Sequence, residues 1–130
     1  MNMSLGRFRL VNLVFLLLFS TLIKSEPIEG YKVELQILDK ITSKVKVLEI
    51  KINETINYKS LNIEIFTCYK TPPEEIPEDF VLLRIQDFMI PNKNKLIYQG
   101  WMISSSPATT PLEHPIYDLW LKNCKISNDF

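Results

Sequence analysis

Glycine, cysteine and histidine are scarce in this chain of 130 residues, which holds three, two and one of them. Each shortage closes off a chemistry. There is neither a G-x-S-x-G turn to present a nucleophilic serine nor a glycine-rich loop to supply backbone donors for an oxyanion. One histidine and two cysteines cannot furnish the three or four ligands of a zinc site, and no D-x-D-x-D-G pattern offers a calcium loop. No metal or other cofactor is expected. The cysteines also lack the C-x-x-C spacing that lowers a thiol pKa. An excess of one charge is missing too: 15 basic and 15 acidic residues cancel, which gives the chain no electrostatic reason to seek nucleic acid. No stretch keeps a 3.6-residue apolar period for three turns, and no internal repeat or low-complexity tract is present.

What the chain does have begins with an address. Arg7 and Arg9 open it without an acidic residue, Leu10 to Ile23 is an apolar run, and Lys24-Ser25-Glu26 returns to polar sequence, the order of a secretory signal. As a helix the run spans roughly 21 Å, short of the roughly 30 Å of bilayer hydrocarbon. Residues 1–25 are therefore read as a signal peptide cut after Ser25, leaving residues 26–130 as one β domain and no stable membrane span. The alternative is an uncleaved anchor in the inner membrane, because Ile23 and Lys24 make a poor approach to a signal peptidase. Arg7, Arg9 and Lys24 leave with the signal, so 12 basic face 15 acidic residues and the net charge falls to −3.

An exported chain with two cysteines most simply joins them. A Cys68–Cys124 disulfide would close a loop worth roughly 4 kcal/mol of unfolded-state entropy, and it requires Cα atoms within about 7 Å.

Between these cysteines and the signal the apolar residues recur with period two, the mark of half-buried strands. Val33, Leu35 and Ile37 alternate with polar neighbours. Val45 and Val47 occupy one phase and Leu48, Ile50 and Ile52 the other, which predicts a bulge near Val47 and Leu48. Asn53 to Ser60 reads as a turn, and Leu61, Ile63 and Ile65 as a third strand that ends at Cys68-Tyr69. Pro72, Pro73 and Pro77 keep residues 71–79 out of any sheet. The acids Glu74, Glu75, Glu78 and Asp79 make that loop either a stiff solvated connection or a dock for a basic partner. A hairpin follows, from Phe80 to Ile90 and Lys95 to Ile103 about a turn at Pro91–Asn94, and Ile116 to Asn123 is the last strand. About six strands point to an all-β fold, a small and mostly antiparallel sandwich or open barrel.

Three motifs, in order, carry a family resemblance. They are Cys68-Tyr-Lys-x-Pro-Pro-Glu-Glu-x-Pro-Glu78, then Gly100-Trp-Met-x-Ser-Ser-Ser-Pro-Ala108, then Leu112-Glu-His-Pro-x-Tyr-Asp-x-Trp120, closed by Cys124. From about Val45 to Lys125 the chain resembles the domain of unknown function 2155, small signal-bearing proteins of alphaproteobacteria. The resemblance implies export to the envelope and supplies no catalytic residue. Ile103-Ser104 and Thr109-Thr-Pro111 depart from its pattern, against a finely tuned active site in this loop.

The densest chemistry lies in this C-terminal region. Trp101, Ser104, Ser105, Ser106, Glu113, His114, Tyr117 and Trp120 form the candidate recognition surface, with aromatic rings to meet a glycan or peptide. Alternation puts Tyr117 and Trp120 on opposite faces of their strand. The expected function is that of an exported, periplasmic or secreted binding or structural module for an envelope protein or a cell-wall polymer. Whether the chain is an enzyme stays open, leaning against. The alternative is a small hydrolase in which His114 activates a serine of Ser104 to Ser106, oriented by Glu113 or Asp118.

Overall fold

The computed structural model describes residues 3–18 and 25–127. A helix, α1 (Met3–Leu18), is followed by eight strands: β1 (Ile28–Glu29), β2 (Lys32–Asp39), β3 (Lys44–Lys51), β4 (Thr55–Tyr58), β5 (Leu61–Lys70), β6 (Asp79–Ile90), β7 (Lys93–Ile103) and β8 (Tyr117–Lys125). Among the described residues no helix is long and apolar enough to cross a membrane. Part of the proposed signal and the residues before its cut lie outside the described ones.

The strands form two antiparallel sheets, one ordered β1-β5-β6-β7 with β4 also on β5, the other ordered β3-β2-β8. The protein is an all-β sandwich of two open sheets. Period two explains why. Val33, Leu35 and Ile37 of β2, Leu61, Ile63 and Ile65 of β5, and Val81, Leu83 and Ile85 of β6 all point into one core, while their neighbours face outward. Among the described residues the buried core runs from Val33 to Cys124.

Two strands went unread in the sequence, both short. The stretch expected to be a turn between Asn53 and Ser60 contains β4, paired with β5 from Thr55↔Glu64 to Tyr58↔Leu61. Asn53 and Lys59 take left-handed φ values of 62° and 53° at its two ends, which confines the turning to those residues. The bulge expected near Val47 is absent, since β2 and β3 pair without a break from Lys32↔Lys51 to Asp39↔Lys44. The apolar phase switches because the first half of β3 overhangs the core. Val45 and Val47 lie on the solvent face, and Lys46, in the inward phase, sits over the Tyr58 ring at 5.6 Å.

Two bulges elsewhere serve the disulfide. In β5 the pairing with β6 slips between Ile65 and Thr67, and in β8 the pairing with β2 skips Lys122. Each extra residue reverses the inward phase, so that Cys68 turns inward three positions after Ile65, and Cys124 three after Leu121. The two cysteines lie inside their strands rather than beyond them, with Cα atoms 5.9 Å apart, and their bond ties one sheet to the other. Gly30 lies against it. A Cβ there would come 2.3 Å from Cys124 Sγ and 2.7 Å from Cys68 Sγ, so the chain can cross the disulfide only without a side chain.

Candidate binding surface

The segment between β7 and β8, residues 104–116, is pinned at three points. At its start Ser104 Oγ donates to Glu78 Oε1 at 2.8 Å, the Ser105 N–H donates to the same oxygen at 2.9 Å, and the Ser105 hydroxyl donates to Glu78 Oε2. Burial pushes the Glu78 carboxyl up, but these donors outweigh it and hold it below its usual range. Glu78, grouped by sequence with a solvated acidic loop, therefore fastens the proline-rich connection to the serine segment. In the middle, Leu112 is buried in the core, after a single 3-10 turn at Pro107–Thr109.

The third pin is His114, whose side chain is 1% exposed. Its Nδ1 accepts the N–H groups of Ile116 and Tyr117, both at 3.1 Å. A nitrogen accepting two amide protons carries none, so Nε2 holds the proton and donates to Asp87 Oδ2 at 3.0 Å. The ring stacks on Tyr117 at 5.1 Å, and Lys40 Nζ donates to the His114 carbonyl at 2.9 Å. Asp87 feels burial raising its pKa, but the bonds from His114 and from the Met89 N–H prevail and lower it. Both imidazole nitrogens are thus occupied by structure, and the hydroxyls of Ser104 and Ser105 are directed at Glu78. The hydroxyls of Ser104 and Ser105 therefore meet the Glu78 carboxylate and not the imidazole of His114.

The candidate surface read from sequence divides. His114 and Tyr117 are buried. Trp120 belongs to β8 of the three-stranded sheet and lines a concavity of about 250 Å³ with Pro107 and Pro111. Glu113 and Ser105 are exposed, Ser104 and Ser106 partly so. Trp101 lies on the other sheet, and 44% of it meets solvent. These residues do not make one surface.

A different surface assembles around Trp101. On β5, β6 and β7 the outward positions fall into rows across the strands: Tyr69, Phe80 and Ile103 in one, Leu82 and Trp101 in the next, and Glu64, Arg84 and Gln99 further along. Tyr69 and Trp101 hold their ring centroids 6.1 Å apart at a tilt of 35°. Arg84 packs 5.2 Å above the Phe66 ring while bonding Glu64 Oε2 at 3.1 Å and Gln99 Oε1 at 3.3 Å. The result is an apolar and aromatic field with a polar border, on a sheet face that period two would otherwise leave polar. Tyr69, Phe80, Leu82 and Arg84 were not singled out in the sequence, because alternation marks the core-facing positions and leaves the opposite face without a signal.

Beside this field, the free edge of β7 is guarded. Tyr98 donates its hydroxyl to the Trp101 carbonyl at 2.7 Å, occupying an acceptor that another strand would need. Around the corner, a pocket of about 350 Å³ lies between the proline-rich connection and Ser104, with Lys70, Glu78 and Asp79 in its wall.

Residues 33–124 match the family described as uncharacterized proteins conserved in bacteria, the domain of unknown function 2155. The chain belongs to this family. It is similar to uncharacterized protein RP359 of Rickettsia prowazekii (strain Madrid E), 31% identical over 87 residues, which are 67% of this chain and 56% of that protein. The matched stretch thus spans little more than half of the relative's own length. No solved structure matches. Both cysteines with their bulges, the Glu78–serine contact and the His114 clamp lie inside the family match.

Proposed function

We propose that the protein is an exported, non-catalytic binding module of the bacterial envelope that holds an envelope protein on the outer face of its five-stranded sheet. One observation carries this reading: the Tyr69–Trp101 pair, with Phe80, Leu82 and Ile103 beside it, forms an apolar field bordered by Glu64, Arg84 and Gln99. Aromatic anchors with an arginine and a polar rim are the composition of protein interfaces, where tryptophan, tyrosine and arginine concentrate the binding energy. A periplasmic or secreted address is supported by the signal-like order of residues 1–25 and by the disulfide, which persists in an oxidising compartment. The fully engaged His114 and the serines bound to Glu78 favour binding over hydrolysis.

The test is photocrosslinking in the native cell from a benzophenone amino acid placed at Leu82 or Ile103. An envelope protein should be captured from both positions, and Trp101→Ala should weaken its affinity about 30-fold, the loss of a central hot spot. If neither position crosslinks and peptidoglycan fragments instead perturb the Trp101 indole resonance, the partner is a polymer and the protein-docking reading fails.

A further inference from the structure

The hairpin of β6 and β7 outgrows the sandwich. Beyond Ile85 the core-facing alternation stops, and every residue from Phe88 to Leu96 is exposed. Three consecutive large apolar residues stand in water there, Phe88 at 43%, Met89 at 48% and Ile90 at 60% exposed, with Leu96 at 52% across the turn. A run of exposed apolar residues is a liability for a soluble fold unless something uses it. The charge is as uneven as the hydrophobicity. Residues 88–96 contain Lys93 and Lys95 and no acid, in a domain whose remaining surface is net acidic.

The tip is presented on a firm base. The Phe88 N–H donates to the Ser60 carbonyl at 2.8 Å, the Met89 N–H to Asp87 Oδ1 at 2.9 Å, and Asp87 itself is gripped by His114. Above that base the register of the two arms slips. Regular pairing ends at Asp87↔Lys95, resumes only at Ile90↔Lys93, and Asn92 turns the chain with φ at 62°. The irregular register puts the exposed residues on a bulged hairpin end rather than on a regularly paired, flat ribbon.

We propose that this hairpin tip is a membrane-docking finger that inserts Phe88, Met89 and Ile90 into the interface of an anionic phospholipid bilayer while Lys93 and Lys95 meet the headgroups. Apolar side chains flanked by lysines complement such a surface in both layers, hydrocarbon below and negative charge above. A protein partner would have to offer a deep apolar socket with acidic walls to match the same pattern. A second copy of the chain would bring its own lysines against these. This inference is independent of the Trp101 face, which lies further back on the same hairpin.

The test uses the full chain reconstituted in vesicles, where α1 is free to associate as it does, with the tip read separately through Ile90→Trp. The indole emission that this substitution adds should shift to the blue, and brominated lipids should quench it beyond the level set by Trp101 and Trp120, in phosphatidylglycerol-containing vesicles and not in pure phosphatidylcholine. Adding Lys93→Gln and Lys95→Gln should weaken tip contact about 25-fold, roughly fivefold for each lysine lost near an anionic surface. Near-UV circular dichroism verifies that these exposed substitutions leave the fold intact. A tip that remains unquenched, or is quenched equally in neutral vesicles, overturns the proposal. So does a lipid-free, concentration-dependent blue shift with dimer formation in sedimentation, which would assign the finger to self-association.

Discussion

Gly30 shows how one residue can depend on two others far away in sequence. Its missing side chain leaves room for both sulfur atoms, and the Gly30 N–H donates to the Cys68 carbonyl at 3.0 Å. Gly30→Ala should cost about 3 kcal/mol, the upper range for overpacking, measured by denaturant unfolding of the oxidised protein. In a Cys68→Ala/Cys124→Ala background the same change should cost much less, since two of the three crowding atoms are gone; an undiminished cost would mean that the Lys125 carbonyl, 2.8 Å from the added carbon, is the real obstacle. Asp39 makes a prediction in pH. The Lys59 ammonium at 2.7 Å holds its carboxyl down to about 2, helped by the Thr42 and Ile41 N–H groups. A folded pKa below the unfolded value of about 3.9 stabilises the fold above that value, and the gain disappears as pH falls through about 2. Thermal unfolding of the wild type and Asp39→Asn should therefore differ most at about pH 6, converge between about pH 4 and about pH 2, and coincide below. A gap that stays constant across this range would refute the linkage.

At the scale of the element, the sequence disclosed faces better than boundaries. Val33, Leu35 and Ile37 or Leu119 and Leu121 announce their strands because each buries one side of a pleat. Thr55–Tyr58 does not, since only Ile56 and Tyr58 pack towards the core and the strand is flanked by turn residues. The phase switch in β3 was visible but ambiguous: a bulge and an overhanging strand end produce the same pattern, and only pairing separates them. The odd spacing of three from Ile65 to Cys68 and from Leu121 to Cys124 was the available sign of the two bulges at the cysteines. For the site, the buried or exposed state of His114, Tyr117 and Trp101 depends on which loop lies across which sheet, a tertiary fact that alternation does not encode. The Glu78 contact is the element that joins two such loops. Glu78→Gln removes one acceptor oxygen and should cost about 1–2 kcal/mol. Because the carboxyl is held below its usual range, protection of the Ser105 and Asp79 amides against hydrogen exchange should also fall as pH drops in the wild type, and should lose that pH dependence in Glu78→Gln. Unchanged exchange in the variant would show that the segment is held without the Glu78 carboxylate.

For the whole molecule the decisive bond is the disulfide, because it is a cross-link from one sheet to the other made far from the chain connections in sequence. Cys68 and Cys124 are separated by 56 positions, a loop whose closure in the unfolded chain is worth about 4 kcal/mol on the entropy model. A small domain has little to spare against such a loss. Replacing both cysteines by alanine should lower the melting temperature by roughly 20 °C. The shape of the denaturant transition reports where that energy resides. If the bond acts on the unfolded ensemble, its removal lets that ensemble expand, so the slope of unfolding against urea must rise while the midpoint falls. If the sulfur atoms chiefly fill space between the sheets beneath Gly30, the midpoint falls at constant slope. The long closed loop favours the first result, and a midpoint shift without any steepening would reassign the stabilisation to packing.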